Sequence, residues 1–241
     1  QLRARGWRVI LTCRDVAAGR AAAATIPGPG PIEVRALDVG KAASAVALEG
    51  ALERDDVHLD ALVNNAAVSK HGFDARVAER TLAVNLFGPL WVTGALASRL
   101  RDGGTVVMVS SSMGELSVLR SPARERVADP ALDRRGVERL GNEFVAAVAA
   151  GRHRAEGWPE NAYAVSKALL NAATRALAIE LGPRVRVNAV CPGWVRTALG
   201  GRHAPRDVEE GGASIVAAVL GTGEVEGATG GFFRDGRRIG W

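Results

Sequence analysis

Tyrosine occurs once among the 241 residues, at Tyr163, and lysine three times, at Lys41, Lys70 and Lys167; the other basic residues are all arginine. Cysteine is nearly as scarce. Cys13 and Cys191 provide neither a disulfide framework nor a metal-ligand spacing, so a reducing cytosol is the expected setting. Aromatic residues make up 5% of the chain and do not alternate with basic ones, which excludes a stacking platform for nucleic acid despite the net charge of +5. The arginines are scattered, and many of those between Arg99 and Arg154 are interleaved with Asp and Glu. No uninterrupted apolar run approaches the roughly 18 residues of a membrane span. Gln1-Leu2-Arg3-Ala4-Arg5 reads as the charged tail of a helix and not as a leader, so no membrane association is expected.

What is present is an alternation of strands and helices. Hydrophobic residues form 47% of the chain, enough for the core of one larger α/β domain spanning 1–241. Strands are expected at Trp7 to Thr12, Ile32 to Leu37, Leu59 to Val63, Gly104 to Val109, Val185 to Val190 and Gly231 to Phe233. Helical patterns follow Asp15, run from about Lys41 to Arg54 and Asp74 to Leu100, begin near Tyr163, and close with Val208 to Leu220. Strands separated by helices of ten or more residues predict a parallel, doubly wound sheet of Rossmann type. One segment breaks the rhythm: Glu115 to Trp158 has no strand pattern and one expected helix, from about Leu132 to Ala150. It is read as an insertion at about 115–158, because a structureless loop of that length is improbable.

The single tyrosine stands four residues before one of the three lysines, in Tyr163-Ala-Val-Ser-Lys167, at the start of a run rich in helix formers. Residues four apart share a helix face, so the ammonium is expected to favour the ionised phenol. An ordinary Tyr/Lys pair on a solvated face remains the alternative. Four further motifs stand in order around it. Asn64-Asn65-Ala66-Ala67 closes a strand, Asn85 sits mid-helix, Ser110-Ser111-Ser112-Met113-Gly114 ends the next strand, and Cys191-Pro192-Gly193-Trp194-Val195-Arg196-Thr197 follows another.

Taken together, their order and spacing resemble the short-chain dehydrogenase/reductase family over essentially the whole chain. The resemblance implies that Tyr163 gives a proton to a substrate carbonyl, that Lys167 holds the nicotinamide ribose and lowers the phenol pKa, and that Ser111 bonds the carbonyl oxygen. It implies that Asn85 anchors a water-mediated proton relay to Lys167. Ser110 and Ser112 are read as turn-forming hydroxyls. Bringing a phenol from about 10 to about 7 takes roughly 4 kcal/mol, more than one lysine supplies, so an oxidised nicotinamide ring is the expected second positive charge.

For the cofactor, the resemblance implies Asp38 and Val39 beside the adenine, Asn64 and Ala66 along the nucleotide, and Pro192 and Thr197 near the carboxamide. Arg14 stands just beyond a strand where an acidic residue would select NAD and an arginine accommodates the 2′-phosphate of NADP, so NADP(H) is expected. A surface pair between Arg14 and its neighbour Asp15 is the alternative. The insertion, Gly157-Trp158-Pro159 and the Cys-Pro-Gly-Trp run resemble the monomeric carbonyl reductases, implying a monomer acting on a small carbonyl compound. Met113, Trp158 and Trp194 are candidate walls of an apolar substrate pocket, or else plain core packing.

Two departures from the family pattern stand out. The strand-closing motif ends in Ala67 where glycine is usual, and no glycine-rich dinucleotide turn precedes Trp7. Gly28-Pro29-Gly30-Pro31 precedes a strand and cannot serve. The expectation is therefore an N-terminally truncated reductase, with unpaired edges on the strands near Trp7 and Leu59. A catalytically silent protein that binds a nucleotide or a partner is the alternative function.

Overall fold

The computed structural model describes all 241 residues. The first half alternates β1 (Val9–Cys13), α1 (Val16–Thr25), β2 (Ile32–Ala36), α2 (Ala42–Arg54) and β3 (Leu59–Asn64). A continuous helical rod follows, made of α3 (Ala75–Leu82), a π-helical stretch at Ala83–Phe87, and α4 (Gly88–Leu96). Then come β4 (Leu100–Val109), α5 (Ala123–Ala128), α6 (Arg134–Ala149), α7 (Ala162–Leu181), β5 (Val185–Val190), α8 (Val208–Leu220), β6 (Phe232–Arg234) and β7 (Arg237–Arg238). Polar caps start the helices where the chain leaves a turn. Asp15, Asp133 and Asn161 each accept a backbone N–H of the first turn, and Asp207 forms a reciprocal capping box with Glu210.

The sheet is parallel and doubly wound but divided. β1 pairs with β2, Val9 opposite Ile32, and these two strands form a sheet of their own. The other five run β3-β4-β5-β6-β7, parallel except for the terminal hairpin of β6 with β7. The chain winds outward from β1 to β2, crosses over, and winds outward again from β3. Strand order therefore reverses between β1 and β3, and there each strand has an edge with no partner. In open α/β sheets such a reversal is where ligands bind.

The principal core joins β4 and β5 to the helical rod, α6 and α7, and includes Leu82, Leu86, Val106, Phe144, Leu169 and Val187. The rod from Ala75 to Arg99 is long and apolar enough to cross a membrane by composition alone. Its Ala78, Leu82, Leu86 and Leu90 instead belong to this core. The insertion is folded and holds two helices where the sequence pattern suggested one; the six residues of α5 are too few for a periodic signal. On α6, Val137, Leu140, Phe144 and Ala147 form one buried face, which packs against α3 and α7. Gly28 and Gly30 lie between α1 and β2 with their backbone against Arg3 and Trp7, a chain-to-chain contact and not a phosphate cradle.

Candidate active site

The parallel pairing of β3, β4 and β5 puts Asn64, Val109 and Val190 at one sheet edge, and the residues that follow them build the site. α7 starts beside that edge. Its first turns carry Tyr163 and Lys167 on one stripe, with the lysine Nζ 5.7 Å from the centre of the phenol ring. Lys167 is 2% exposed and donates to the carbonyl of Val109 at 2.7 Å. Burial lowers its pKa to about 8. This fits a lysine whose proton is exchangeable near neutrality, in place of an inert surface ammonium.

Tyr163 departs from the expectation that Lys167 lowers its pKa. Burial pushes the half-buried phenol above its usual value, the contact with the Ser111 hydroxyl pulls it back, and Cys191 adds to the upward push. The ammonium stands over the ring and bonds a carbonyl, so it gives the hydroxyl little direct support. In the protein alone the phenol keeps its proton, the form a proton donor needs.

Ser111 opens the turn at Ser112–Gly114, its Oγ accepting from the Met113 N–H at 3.2 Å. The backbone amides of Ser110 and Ser112 anchor the turn, while the Ser110 hydroxyl reaches Asn171 on α7 instead of closing the turn. The Ser110 amide donates to the Val190 carbonyl at 2.7 Å, and the Ser112 amide donates to the Cys191 thiol at 3.3 Å. Gly114 lets the turn lie on α7: a Cβ there would stand 2.5 Å from the carbonyl carbon of Lys167.

Asn85 occupies the π-helical stretch, fully buried. Its Oδ1 accepts from the Val68 N–H at 2.8 Å, and its Nδ2 donates to the Val68 carbonyl at 2.9 Å and to Ser166 Oγ at 3.0 Å. Ser166 in turn donates to the Tyr163 carbonyl at 2.7 Å. The carboxamide thus ties the loop after β3 to the first turn of α7, and its side-chain link runs to the tyrosine's backbone instead of to Lys167. An asparagine here is otherwise unfavourable, and the widened helical turn marks the place.

The remaining cofactor candidates follow four strands, β1, β2, β3 and β5. Asp38 and Val39 form the turn after β2; the Asp38 carboxylate accepts from the Gly40 N–H at 3.1 Å and lies 3.6 Å from Lys41. Gly40 and Val39 lie against Val84 and Gly88, the neighbours of Asn85, so this turn reaches the site from the β1–β2 side. Arg14 is exposed just after β1, and its neighbour Asp15 caps α1, so the alternative of an Arg14–Asp15 ion pair is not what forms. Asn64 points inward, donating to Thr93 Oγ1 at 3.0 Å, which leaves its backbone and that of exposed Ala66 to line the edge. Pro192 is half-buried, and Thr197 Oγ1 accepts from the Gly200 N–H at 3.1 Å.

Of the three apolar candidates, Met113 and Trp194 are 44% and 57% exposed at the site's rim, the indole donating to the Gly200 carbonyl at 2.7 Å. Trp158 does not join them. It is 2% exposed and packs on Phe144, ring centres 5.5 Å apart, as part of the core under the insertion. A large apolar side chain flanked by Gly157 and Pro159 can be read as a wall or a core filler, and here it fills the core.

Sequence reasoning passed over Ser166 and Asn171. Both are polar positions on an otherwise apolar helix, and Asn171 continues the four-residue spacing of Tyr163 and Lys167, which is the signal that could have found it.

The short chain dehydrogenase family model matches residues 1–123, and an Enoyl-(Acyl carrier protein) reductase model matches residues 137–226. Carbonyl reductase [NADPH] 1 of Bos taurus is 34% identical over 97% of this chain and 88% of its own length; that of Homo sapiens is 33% identical with the same coverage. Among solved structures, salutaridine reductase from Papaver somniferum superposes with a TM-score of 0.84 at 29% identity, covering 98% of this chain and 93% of the other. The NADPH-bound carbonyl reductase from chicken fatty liver shares the fold, with a TM-score of 0.70 at 21% identity over 98% and 88% of the two chains. With its tyrosine, lysine and serine gathered at the edge where the parallel strands end, the chain belongs to the short-chain dehydrogenase/reductase family.

Proposed function

We propose that this chain is an NADPH-dependent reductase of small ketones, aldehydes or quinones. The observation that carries the reading is the placement of Ser111, Tyr163 and Lys167 at one sheet edge, with a buried, charge-labile lysine beneath the chain's only tyrosine. Its relatives named carbonyl reductase [NADPH] support the same reading.

The residues present fit the two ends of a dinucleotide. Arg14, free of any ion pair, offers a guanidinium for a 2′-phosphate, and the turn at Asp38 and Val39 would flank the adenine. Asn64 and Ala66 would run along the nucleotide by their backbone. Pro192 and Thr197 would approach the carboxamide. When bound, the nicotinamide supplies the hydride and, once oxidised, a positive charge at the site.

The chain's own groups do the rest. The Ser111 hydroxyl donates to the carbonyl oxygen of the substrate, stabilising charge as it develops. Tyr163, protonated in the resting protein, gives its proton to that oxygen. Lys167 would hold the ribose, and its pKa near 8 lets it pass a proton onward. Asn85 keeps the first turn of α7 and the loop at Val68 in register. Met113 and Trp194 form the open apolar rim of the substrate site.

The protein acts as a monomer in this reading. The buried face of α6 covers α3 and α7, helices that would otherwise be free to pair with a second subunit. Both cysteines are free thiols, in keeping with a cytosolic setting.

The test is a panel of ketones, aldehydes and quinones mixed with the full chain and either NADPH or NADH, followed by loss of reduced-nicotinamide absorbance. Turnover with NADPH and at least one carbonyl is expected. Nucleotide binding without turnover across the panel would replace this reading with that of a silent binder.

A further inference from the structure

Two turns beyond the tyrosine, α7 carries a carboxamide that the catalytic reading above leaves unused. Asn171 is 3% exposed and lies among apolar neighbours, Leu169, Leu170, Ala172 and Ala173. A buried amide in such a setting costs stability unless its hydrogen bonds are made. They are made to the serine turn. Ser110 Oγ donates to Asn171 Oδ1 at 2.6 Å, and Asn171 Nδ2 donates to the Gly114 carbonyl at 3.0 Å. These partners bracket Ser111, one residue before it and three after. We infer that Asn171 is a positioning residue, which grips the serine turn at both ends and so sets the Ser111 hydroxyl against the phenol carried by the same helix.

The geometry explains why the residue is asparagine. One end of the turn offers a hydroxyl donor and the other a carbonyl acceptor, and a short carboxamide answers both at once. Aspartate would set an oxygen against the Gly114 carbonyl oxygen. Leucine would fill a similar volume and pair neither end. Spacing explains why the grip matters for chemistry: Tyr163, Lys167 and Asn171 recur every four residues, so proton donor, lysine and clamp share one rigid stripe. Gly114 closes the contact by lying on the Lys167 backbone. The hydroxyls of Ser111 and Tyr163 are thereby referred to one helix and not to two separately moving elements.

This inference rests on the proposed function, in which Ser111 and Tyr163 face the same carbonyl oxygen, and its test is built to separate the two. The full chain is compared with Asn171→Leu, Ser110→Ala, Ser111→Ala and the Asn171→Leu/Ser111→Ala double variant, using NADPH and a carbonyl that is turned over. Asn171→Leu is expected to lower kcat by about tenfold or more with KM for NADPH little changed. In the Ser111→Ala background it should cost less than about a further twofold, because its target is gone. Equal factors in both backgrounds would overturn the inference. Should Asn171→Leu not fold, Ser110→Ala removes one of the two bonds at smaller structural cost and enters the same cycle with Ser111→Ala.

A second readout needs no turnover. Tyr163 is the only tyrosine, so phenolate absorbance on raising the pH reports it alone. The Ser111 contact favours the ionised phenol, so Ser111→Ala and Asn171→Leu should both move the midpoint upward and the double variant no further. An unmoved midpoint in Asn171→Leu beside a shifted one in Ser111→Ala would overturn the inference even in a protein that reduces no carbonyl.

Discussion

β4 and β5 lie inside a five-stranded sheet, and from Gly104 onward every residue of β4 is buried, whereas none of the ten residues of β1 and β2 is buried. The two regions carry different duties. The β4–β5 side holds Ser111, the approach to Lys167 through Val109, and Cys191-Pro192. The β1–β2 side holds Arg14, Asp38 and Val39. On the proposed reading, the groups that would act on the reacting atoms hang from a packed scaffold, where positions are set to fractions of an ångström by buried neighbours. The groups proposed to select the cofactor hang from a sparsely covered pair of strands, where exposed charge would suffice. Damage on one side should reach turnover, and damage on the other should reach cofactor choice.

The widest separation comes from Tyr163→Phe. It removes one hydroxyl from the packed side and touches nothing on the other. Turnover is expected to fall by about a hundredfold or more, the regime of a lost general acid, with NADPH affinity nearly unchanged. Steady-state kinetics with NADPH fluorescence titration checks both halves. A variant that kept most of its activity would remove Tyr163 as proton donor.

Lys167 sharpens the comparison through stability. Its pKa is lowered to about 8 in the folded protein, against an ordinary lysine value of 10.5. Between those two pH values the unfolded chain binds the proton and the native one does not, so stability rises with pH across that window. Relative to Lys167→Met, the unsubstituted protein should gain about 3 kcal/mol between pH 8 and 10.5, because each pKa unit is worth about 1.4 kcal/mol. Denaturant unfolding at the two pH values measures the gain, and a flat difference would mean that the charge is not buried in solution.

Much of this division was legible in the sequence, and the reasons are local. Val185–Val190 and Val208–Leu220 are bounded as their patterns predict, because β-branched residues in one case and an Asp/Glu capping box in the other mark their ends. Ser111, Tyr163 and Lys167 were legible because each sits at a fixed offset from a strand end or a helix start. The chemistry between them was not. Whether a lysine steadies the phenol depends on where its Nζ points, and it points to Val109. Whether Trp158 is a pocket wall or core filling stayed open for a similar reason: the insertion's fold decides which face of a large side chain is covered, and here the indole is buried against Phe144 of α6. The π-helical turn at Asn85 depends on contacts distant in the chain, and the four-residue spacing that singles out Asn171 does not record the distant partners it binds.

On the sparsely covered side, Arg14→Asp should change selection and leave chemistry intact. A 2′-phosphate loses a charge-assisted partner and meets a carboxylate, so the ratio of kcat/KM for NADPH to that for NADH should fall by about tenfold or more. Turnover at saturating cofactor should stay within about twofold, since no reacting atom is touched. An unchanged ratio would move the selection to another residue.

The smallest effect tests the packing contrast itself. Leu11 lies in the middle of β1, half-buried, and joins none of the three apolar clusters of the core. Leu169 on α7 is fully buried in the largest of them. Truncating a buried leucine costs its transfer free energy and leaves a cavity, about 2–5 kcal/mol in all. At Leu11 much of the side chain already meets water and the hole opens to solvent, so only part of the transfer free energy is lost. Leu11→Ala should therefore cost about 1 kcal/mol or less, against the larger range for Leu169→Ala. Paired denaturant curves decide it. A Leu11→Ala loss equal to that of Leu169→Ala would mean that β1 is covered in solution, and the unpaired edges of β1 and β3 would then no longer describe how the two halves of the sheet meet.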